Sequence, residues 1–138
     1  AIIQGHIDPP TGTIDAPIDR HPKIDHRFAV VADGKESITH YELIEYYRGV
    51  TMVQVELETG RTHQIRVHMS ALNHPLVGDT TYGADPVLAK SLQMSRPWLH
   101  AKELAFAHPI TGESMEFKVE YPVDLQACLA LLSDAVIP

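Results

Sequence analysis

The sequence predicts an α+β fold, in which a mainly antiparallel, mixed β-sheet packs against a few helices. Two adjacent patterns predict this class. Residues 51–58 alternate with a period of two, which is typical of a half-buried strand, and apolar side chains in residues 65–72 recur at helical spacing. The chain has 138 residues, of which 44% are hydrophobic. This length allows one core, so we expect a single domain over residues 1–138.

The strand and the helix each have a predicted buried side. In the helix, Ile65, Met69 and Leu72 are spaced at i, i+4 and i+7, so they share one stripe. In the strand, every second side chain should face the core. The inward positions are Thr51, Val53, Val55 and Leu57, and the outward positions are Met52, Gln54, Glu56 and Glu58.

Turn residues and apolar runs define the rest of the amino-terminal half. Apolar β-branched residues at the start predict a strand, and prolines keep the following segments out of helices. We expect the last three strands before the helix to pair consecutively, with the helix packed on one face. The elements are a strand end at 1–5, a turn at 8–12, an extended piece at 13–18, a polar loop at 19–26, and strands at 27–32, 37–46 and 51–57.

The carboxy-terminal half begins with helix-breaking residues and ends with an amphipathic pattern. Its prolines and glycines predict an ordered loop that contains a short helical piece at 86–93. Strands at 98–106 and 114–121 follow, joined by a turn at 109–113, and a last helix starts at Pro122. The expected inward side chains are Met115, Phe117, Val119 and Tyr121 in the strand and Leu125, Leu129 and Leu132 in the helix.

The segment between the first helix and the strand before it carries the densest run of chemically capable side chains, Thr-Gly-Arg-Thr-His-Gln-Ile-Arg-Val-His at 59–68. We expect Gly60 to supply a tight turn that other residues resist, and Thr62 to cap the helix. Helix-start N–H groups flanked by Arg61 and Arg66 favour an anion such as phosphate or carboxylate. The alternative is a solvated helix start whose arginines pair with surface acids.

Composition restricts the class of protein further. The net charge of −7 disfavours nucleic-acid binding in general, but residues 61–74 contain arginines and histidines and no acid. The chain alone should therefore bind RNA weakly. The single cysteine, Cys128, excludes a disulfide framework and lies in an apolar run, so we expect it to be buried. The absence of a membrane-spanning apolar run and of a signal-peptide pattern predicts a cytoplasmic protein without membrane contact.

The nine histidines do not form a convincing metal site. His63 and His68 are five residues apart, which separates them by about 140° around a helix. No His-Glu-x-x-His run is present, and no Gly-x-Ser-x-Gly nucleophile elbow. We expect no metal, and we expect Asp79, which follows Gly78, to cap a turn.

The run at 59–69, followed by Asn73-His74-Pro75-Leu76-Val77-Gly78-Asp79 and by Tyr82-Gly83, resembles the C-terminal half of an RluA/RluD-type RNA pseudouridine synthase. The likeness extends to further short segments and so covers nearly the whole chain. These segments are 14–18, 99–101, 108–113 and 121–124. A partial pseudouridine synthase catalytic domain is the fold that the resemblance implies.

The resemblance also implies an activity and a set of site residues. Enzymes of this family isomerise uridine to pseudouridine in ribosomal or transfer RNA without cofactor or metal. The family's arginine, matched by Arg66, pairs with a catalytic aspartate, while the aliphatic residue before it, Ile65, packs beside the flipped base. Arg61, His63 and Gln64 are then candidates to hold RNA phosphates.

One departure from the family pattern affects the expected activity. The family's His-Arg-Leu-Asp run and its tyrosine, both upstream of the matched segments, do not occur here. We therefore interpret the chain as an inactive C-terminal fragment. We expect Arg66 to lie at the mouth of a cleft and its acidic partner to lie outside the chain. Exposed sheet edges could allow self-association. The alternatives are a non-catalytic RNA- or protein-binding domain that uses an Arg61/Arg66 patch, and a histidine-based metalloprotein.

Overall fold

The computed structural model describes residues 1–134, without the side chains of 103–107, 117 and 134. The predicted α+β class is confirmed, with antiparallel strand pairs and packed helices. The strands are β1 (Ile2–Gln4), β2 (Thr11–Asp15), β3 (Ile18–Arg20), β4 (Phe28–Val30), β5 (Ile38–Tyr47), β6 (Val50–Leu57), β7 (Glu103–Ala107) and β8 (Ser114–Lys118). The helices are α1 (Gln64–Ala71), α2 (Pro86–Ser91) and α3 (Val123–Asp134), with a 3₁₀ turn at Thr80–Tyr82.

A four-stranded antiparallel sheet, in the order β1-β6-β5-β2, forms the centre of the molecule. β5 pairs with β6 through a tight turn at Arg48-Gly49, where Gly49 has a φ of 73° that favours glycine. A register shift between Leu43 and Glu45 marks an irregularity in this pairing. The predicted strands at 1–5, 37–46 and 51–57 therefore all belong to one sheet.

Both faces of the sheet are covered where β1 meets β6. Ile3 and Val53 pack with Met69 of α1, whereas Ile2 and Met52 pack in a second cluster that includes residues of α3. The prediction that Met52 faces outward on the polar side is wrong, because α3 covers that face and Met52 is 7% exposed. The predicted alternation continues only farther along β6. There Gln54, Glu56 and Glu58 are exposed, but so is Leu57.

The prediction that β4 belongs to the main sheet is wrong. β4 pairs with β3 as a separate two-stranded hairpin, with Ile18 opposite Val30. The stretch 19–26, predicted as a loop, thus contains part of a strand, and the consecutive pairing of three strands is wrong. The hairpin has an apolar reason to lie elsewhere, since Ile18 and Phe28 pack with Val67 of α1 and with Tyr82. This cluster places β3–β4 directly beside α1.

The carboxy-terminal elements agree largely with the sequence. α2 confirms the predicted short helix, and Asp85 caps it by accepting a hydrogen bond from the Val87 N–H. In α3, Leu125 and Leu132 of the predicted stripe are buried, Leu129 is half-buried against the same cluster, and the predicted burial of Cys128 is confirmed.

The pair β7–β8 is shorter than the predicted strands at 98–106 and 114–121. Val119, expected to face inward, lies beyond the end of β8 and is 58% exposed. The predicted inward side chain of Phe117 lies outside the described part. Within residues 1–134, no helix is long and apolar enough to cross a membrane.

Candidate functional site

The turn that leads into α1 is built differently from the prediction. Gly60 does not have a positive φ, and a Cβ added there would meet nothing within 4 Å. The left-handed residue is instead His63, at φ 55°, and α1 begins immediately after it at Gln64. Thr62 is therefore not the cap, and no side chain caps this helix. The prediction for Gly60 is wrong because a side chain, that of Gln64, closes the turn.

Gln64 closes the turn by using both ends of its amide. Its Oε1 accepts hydrogen bonds from the Thr59 hydroxyl (2.8 Å) and from the Arg61 N–H (3.0 Å). Its Nε2 donates to the Ile38 carbonyl (3.0 Å) and to the Thr39 hydroxyl (2.9 Å). The residue is 2% exposed, and these four bonds use the full capacity of the amide. This placement argues against the predicted RNA contact of Gln64.

His68 continues this network into the core. Its Nε2 donates to the Ala16 carbonyl (2.9 Å), so in the neutral ring Nδ1 accepts from the Thr39 hydroxyl (2.7 Å). Burial lowers the pKa of His68, which favours the neutral form. His68 is fully buried, whereas Leu72, predicted to be on the buried stripe, is 39% exposed. The inward face of α1 is thus partly polar, which the apolar spacing did not reveal.

Arg66 of α1 is held in a defined direction by an ion pair with Asp79. Its Nε and Nη2 donate to the two carboxylate oxygens of Asp79, at 2.9 and 2.8 Å. The Asp79 side chain is 1% exposed and that of Arg66 is 20% exposed. The hydrogen bond to Asp79 raises the pKa of Arg66. The expectation that Arg66 lacks an acidic partner within the chain is wrong, and Asp79 is an ion-pair partner whose side chain does not cap the 3₁₀ turn.

Tyr82 forms the floor of the same site. The Arg66 guanidinium lies 4.9 Å from the centroid of its ring. The Tyr82 hydroxyl accepts from the Phe28 N–H (3.0 Å) and hydrogen-bonds to His63 Nδ1 (2.8 Å). Burial, followed by the charge of Arg66, lowers the pKa of His63. We call Arg66, Asp79, Tyr82 and His63 the Arg66 cluster.

The remaining predicted site residues lie around this cluster. Ile65 is half-buried and packs against the core cluster that contains Met69 and Leu76. Arg61 is exposed, and its Nε donates to the Glu36 carbonyl (2.8 Å) on the loop before β5. Arg61 and Arg66 are therefore held by different parts of the chain and not by a shared partner.

Sequence reasoning overlooked Asp79 and Tyr82 as site residues. Both lie in the Gly-Asp-x-x-Tyr-Gly segment, directly after the buried run Leu76-Val77. An acid next to a buried apolar run needs a charged partner, and this signal could have indicated the pair with Arg66. In residues 1–134, no group of three or more histidine, cysteine, aspartate or glutamate side chains could hold a metal ion.

Comparison with known proteins gives the context of this geometry. A family model described as RNA pseudouridylate synthase matches residues 1–71, which include Arg66. The chain belongs to the RNA pseudouridylate synthase family. The match covers the sheet strands β1, β2, β5 and β6 together with α1.

Relatives of the RluA/RluD type support this membership. An uncharacterised RNA pseudouridine synthase of Mycobacterium bovis is 54% identical over 96% of this chain and 43% of its own length. A ribosomal large subunit pseudouridine synthase D of Xanthomonas campestris is 44% identical over 89% of this chain and 40% of its own length. The chain thus spans about two-fifths of these curated relatives.

A solved structure shows the same fold. The human RNA pseudouridylate synthase domain containing 1 superposes with a TM-score of 0.75 at 35% identity, covering 93% of this chain and 56% of that one. The chain therefore has the pseudouridylate synthase fold, and Arg66 lies on one of its helices, α1.

Proposed function

We propose that this chain is part of an RNA pseudouridine synthase and supplies the Arg66 side of its active site. One observation carries the proposal: Arg66 is fixed by a buried carboxylate and an aromatic ring, yet keeps a fifth of its side chain exposed. A surface arginine that only improves solubility needs no such fixation. A guanidinium that must meet a second group in a defined direction does.

The geometry supports a definite part for Arg66 in uridine isomerisation. Asp79 takes two of the five N–H groups of the guanidinium, and among the described residues the hydrogen bonds of Arg66 go only to Asp79. The other N–H groups can donate to the catalytic aspartate of the family, which lies outside the matched segments. Such bonds would keep that aspartate ionised and oriented while the glycosidic bond of uridine breaks and the base rejoins through carbon.

Asp79 also changes the electrostatics of this proposal. Because it neutralises Arg66, the pair brings little net charge to the site, and the attraction for a second carboxylate comes mainly from directed hydrogen bonds. Direction then matters more than charge. Lysine, a point charge without the planar fork, should replace Arg66 poorly.

The proposed substrate is RNA, and ribosomal RNA is favoured over transfer RNA because a relative bears the name of a ribosomal large subunit enzyme. Arg61 and His63 remain candidate phosphate contacts, and Ile65 a contact of the flipped base. Neutral His63 would act there as a hydrogen-bonding group and not as a cation. We propose that the protein works without cofactor or metal in the cytoplasm.

The test is the Arg66→Lys variant of the longer protein, assayed by mapping pseudouridine in ribosomal RNA. We expect a loss of at least about a hundredfold in turnover, typical of a misplaced transition-state donor, with RNA affinity largely retained. Arg48→Lys, at the exposed β5–β6 turn, is the control and should leave both unchanged. Equal losses of affinity and turnover would make Arg66 a phosphate contact. RNA binding with no turnover by the unchanged longer protein would favour the non-catalytic binding domain.

A further inference from the structure

A second guanidinium lies beside the Arg66 cluster and has no assigned part. Arg27, at the end of the loop between β3 and β4, is 4.9 Å from the centroid of the Tyr82 ring. The same ring is 4.9 Å from the guanidinium of Arg66. Two positively charged guanidinium groups therefore lie close to the one buried ring of Tyr82.

In the described part of the chain, Arg27 differs from Arg66 in having no acidic partner. Its Nε is buried and has no hydrogen-bond partner among the described residues. The Arg27 side chain as a whole is only half-buried, and its terminal Nη groups also have no hydrogen-bond partner among the described residues. A charged donor without a partner is costly, so these Nη groups are the part of Arg27 that favours an external acceptor. Arg66, by contrast, is paired with Asp79 on two nitrogens. The uncompensated positive charge at Tyr82 thus belongs to Arg27.

The surroundings of Arg27 favour an anion. Arg20 lies on the same hairpin, with its guanidinium 5.8 Å from the Phe28 ring. The hairpin also carries acids, namely Asp19, whose carboxylate accepts from the Arg20 N–H, and exposed Asp25. Within residues 1–134, neither acid forms an ion pair with Arg27.

The hairpin is also fixed in place, which a binding site requires. Phe28 donates its backbone N–H to the Tyr82 hydroxyl and packs with Ile18 and Val67. Arg27 is the residue next to this anchor, so its backbone position is tied to α1 and to the Arg66 cluster. Because the guanidinium groups of Arg27 and Arg66 lie against the same Tyr82 ring, a ligand group bound by Arg27 would lie close to Arg66.

We propose that Arg27 binds a phosphate of the RNA strand next to the nucleotide that Arg66 faces. This inference rests on the proposed function, because it takes RNA as the ligand. The planar guanidinium suits a phosphate, which accepts two parallel charge-assisted hydrogen bonds. Contacts of this kind position a strand without reading its sequence, and they offset the cost of extruding one nucleotide.

The experiment measures binding of a short fluorescein-labelled oligouridylate to the 138-residue chain by anisotropy over a series of salt concentrations. For single strands, log K decreases with log salt, and the slope becomes shallower by about 0.7 for each phosphate contact that is lost. We expect Arg27→Gln to bind more weakly with a slope reduced by about this amount, and Arg27→Lys to retain most of the slope. Arg48→Gln removes the same charge at the β5–β6 turn and should leave affinity and slope unchanged.

A structural role gives a different result. If Arg27 only packs against Tyr82, then Arg27→Gln and Arg27→Lys both lower the melting temperature while the salt slope stays that of the unchanged chain, and the proposal is overturned. Failure of the unchanged chain to bind oligouridylate at all overturns it as well. Neither result decides the proposed function, which depends on pseudouridine formation by the longer protein.

Discussion

At the scale of single residues, the pair Arg66–Asp79 is the most consequential interaction. We predict that Asp79→Asn lowers the free energy of unfolding by about 2–3 kcal/mol, less than the roughly 3–5 kcal/mol for a fully buried pair, because the Arg66 side chain that loses its charge partner is 20% exposed. Asp124→Asn is the matched control, since Arg96 and Asp124 form the same two-bond geometry at 2.8 Å but are 42% and 44% exposed. Solvent screens that pair, so we expect little change. Urea denaturation of both variants measures the difference, and equal losses would contradict it.

The same pair shows what sequence could and could not establish at this scale. The chemically capable side chains of residues 59–68 predict the site, and Arg66 does lie in the Arg66 cluster. Their partners are Asp79 and Tyr82, on a segment more than ten residues away. The apolar run before Asp79 indicates that this acid needs a charged partner, but it does not identify Arg66 as that partner. The prediction that Gly60 supplies the tight turn is wrong for a related reason. Gln64 shapes the turn through contacts with Ile38 and Thr39 from another strand.

At the scale of elements, α1 is attached to the sheet by a polar network as well as by apolar packing. His68 sits in that network with a lowered pKa, caused mainly by burial. Below the unfolded-state pKa of about 6.5, the unfolded chain binds a proton that the folded chain resists. Stability contributed by neutral His68 is therefore complete above about pH 6.5 and is lost as the pH falls toward the lower folded pKa.

We predict that the free energy of unfolding decreases between pH 7 and pH 5, and that His68→Gln makes this decrease smaller. Denaturation in urea at several pH values provides the measurement. His63, whose pKa is also lowered, acts in the same direction and should preserve part of the effect in the variant. A free energy of unfolding with the same pH dependence in His68→Gln and in the unchanged chain would contradict the prediction.

Element pairing marks the limit of the sequence-based fold prediction. Apolar runs and turn residues located β5, and alternation located β6, although the predicted inward and outward sides of β6 are wrong at Met52 and Leu57. Alternation could not predict that β4 pairs with β3, since β4 has only three residues and β3 lies among proline and charged residues. What decides the pairing is the contact of Phe28 with Val67 and Tyr82, which is a tertiary effect.

At the scale of the whole molecule, charge is distributed unevenly. The net charge is −7, yet Arg20, Arg27 and Arg66 collect where the β3–β4 hairpin meets α1. The same hairpin carries the exposed acids Asp19 and Asp25, and further exposed acids occur along the central strands, as at Glu42 and Glu56. The total charge of a protein therefore says little about one face, and the proposed RNA contact is compatible with an acidic chain.

The two core clusters on opposite faces of the sheet decide whether residues 1–138 behave as the predicted single domain. Leu125 of α3 is fully buried beside Trp98, whose indole N–H donates to the Leu125 carbonyl (3.1 Å). We predict that Leu125→Ala lowers the free energy of unfolding by about 3 kcal/mol through the cavity it leaves. Val123→Ala, on the same helix but at a position 81% exposed, should change it little.

Two signals make this a test of cooperativity. The fluorescence of Trp98, the only tryptophan, reports on the α3 face, whereas far-ultraviolet circular dichroism reports on all the helices and strands. Because Ile2 and Ile3 are neighbours on β1 and point into opposite clusters, loss of one face should release the strand that supports the other. We expect both signals to shift together in Leu125→Ala. Separate transitions would show that the α3 face unfolds by itself and would contradict a single domain.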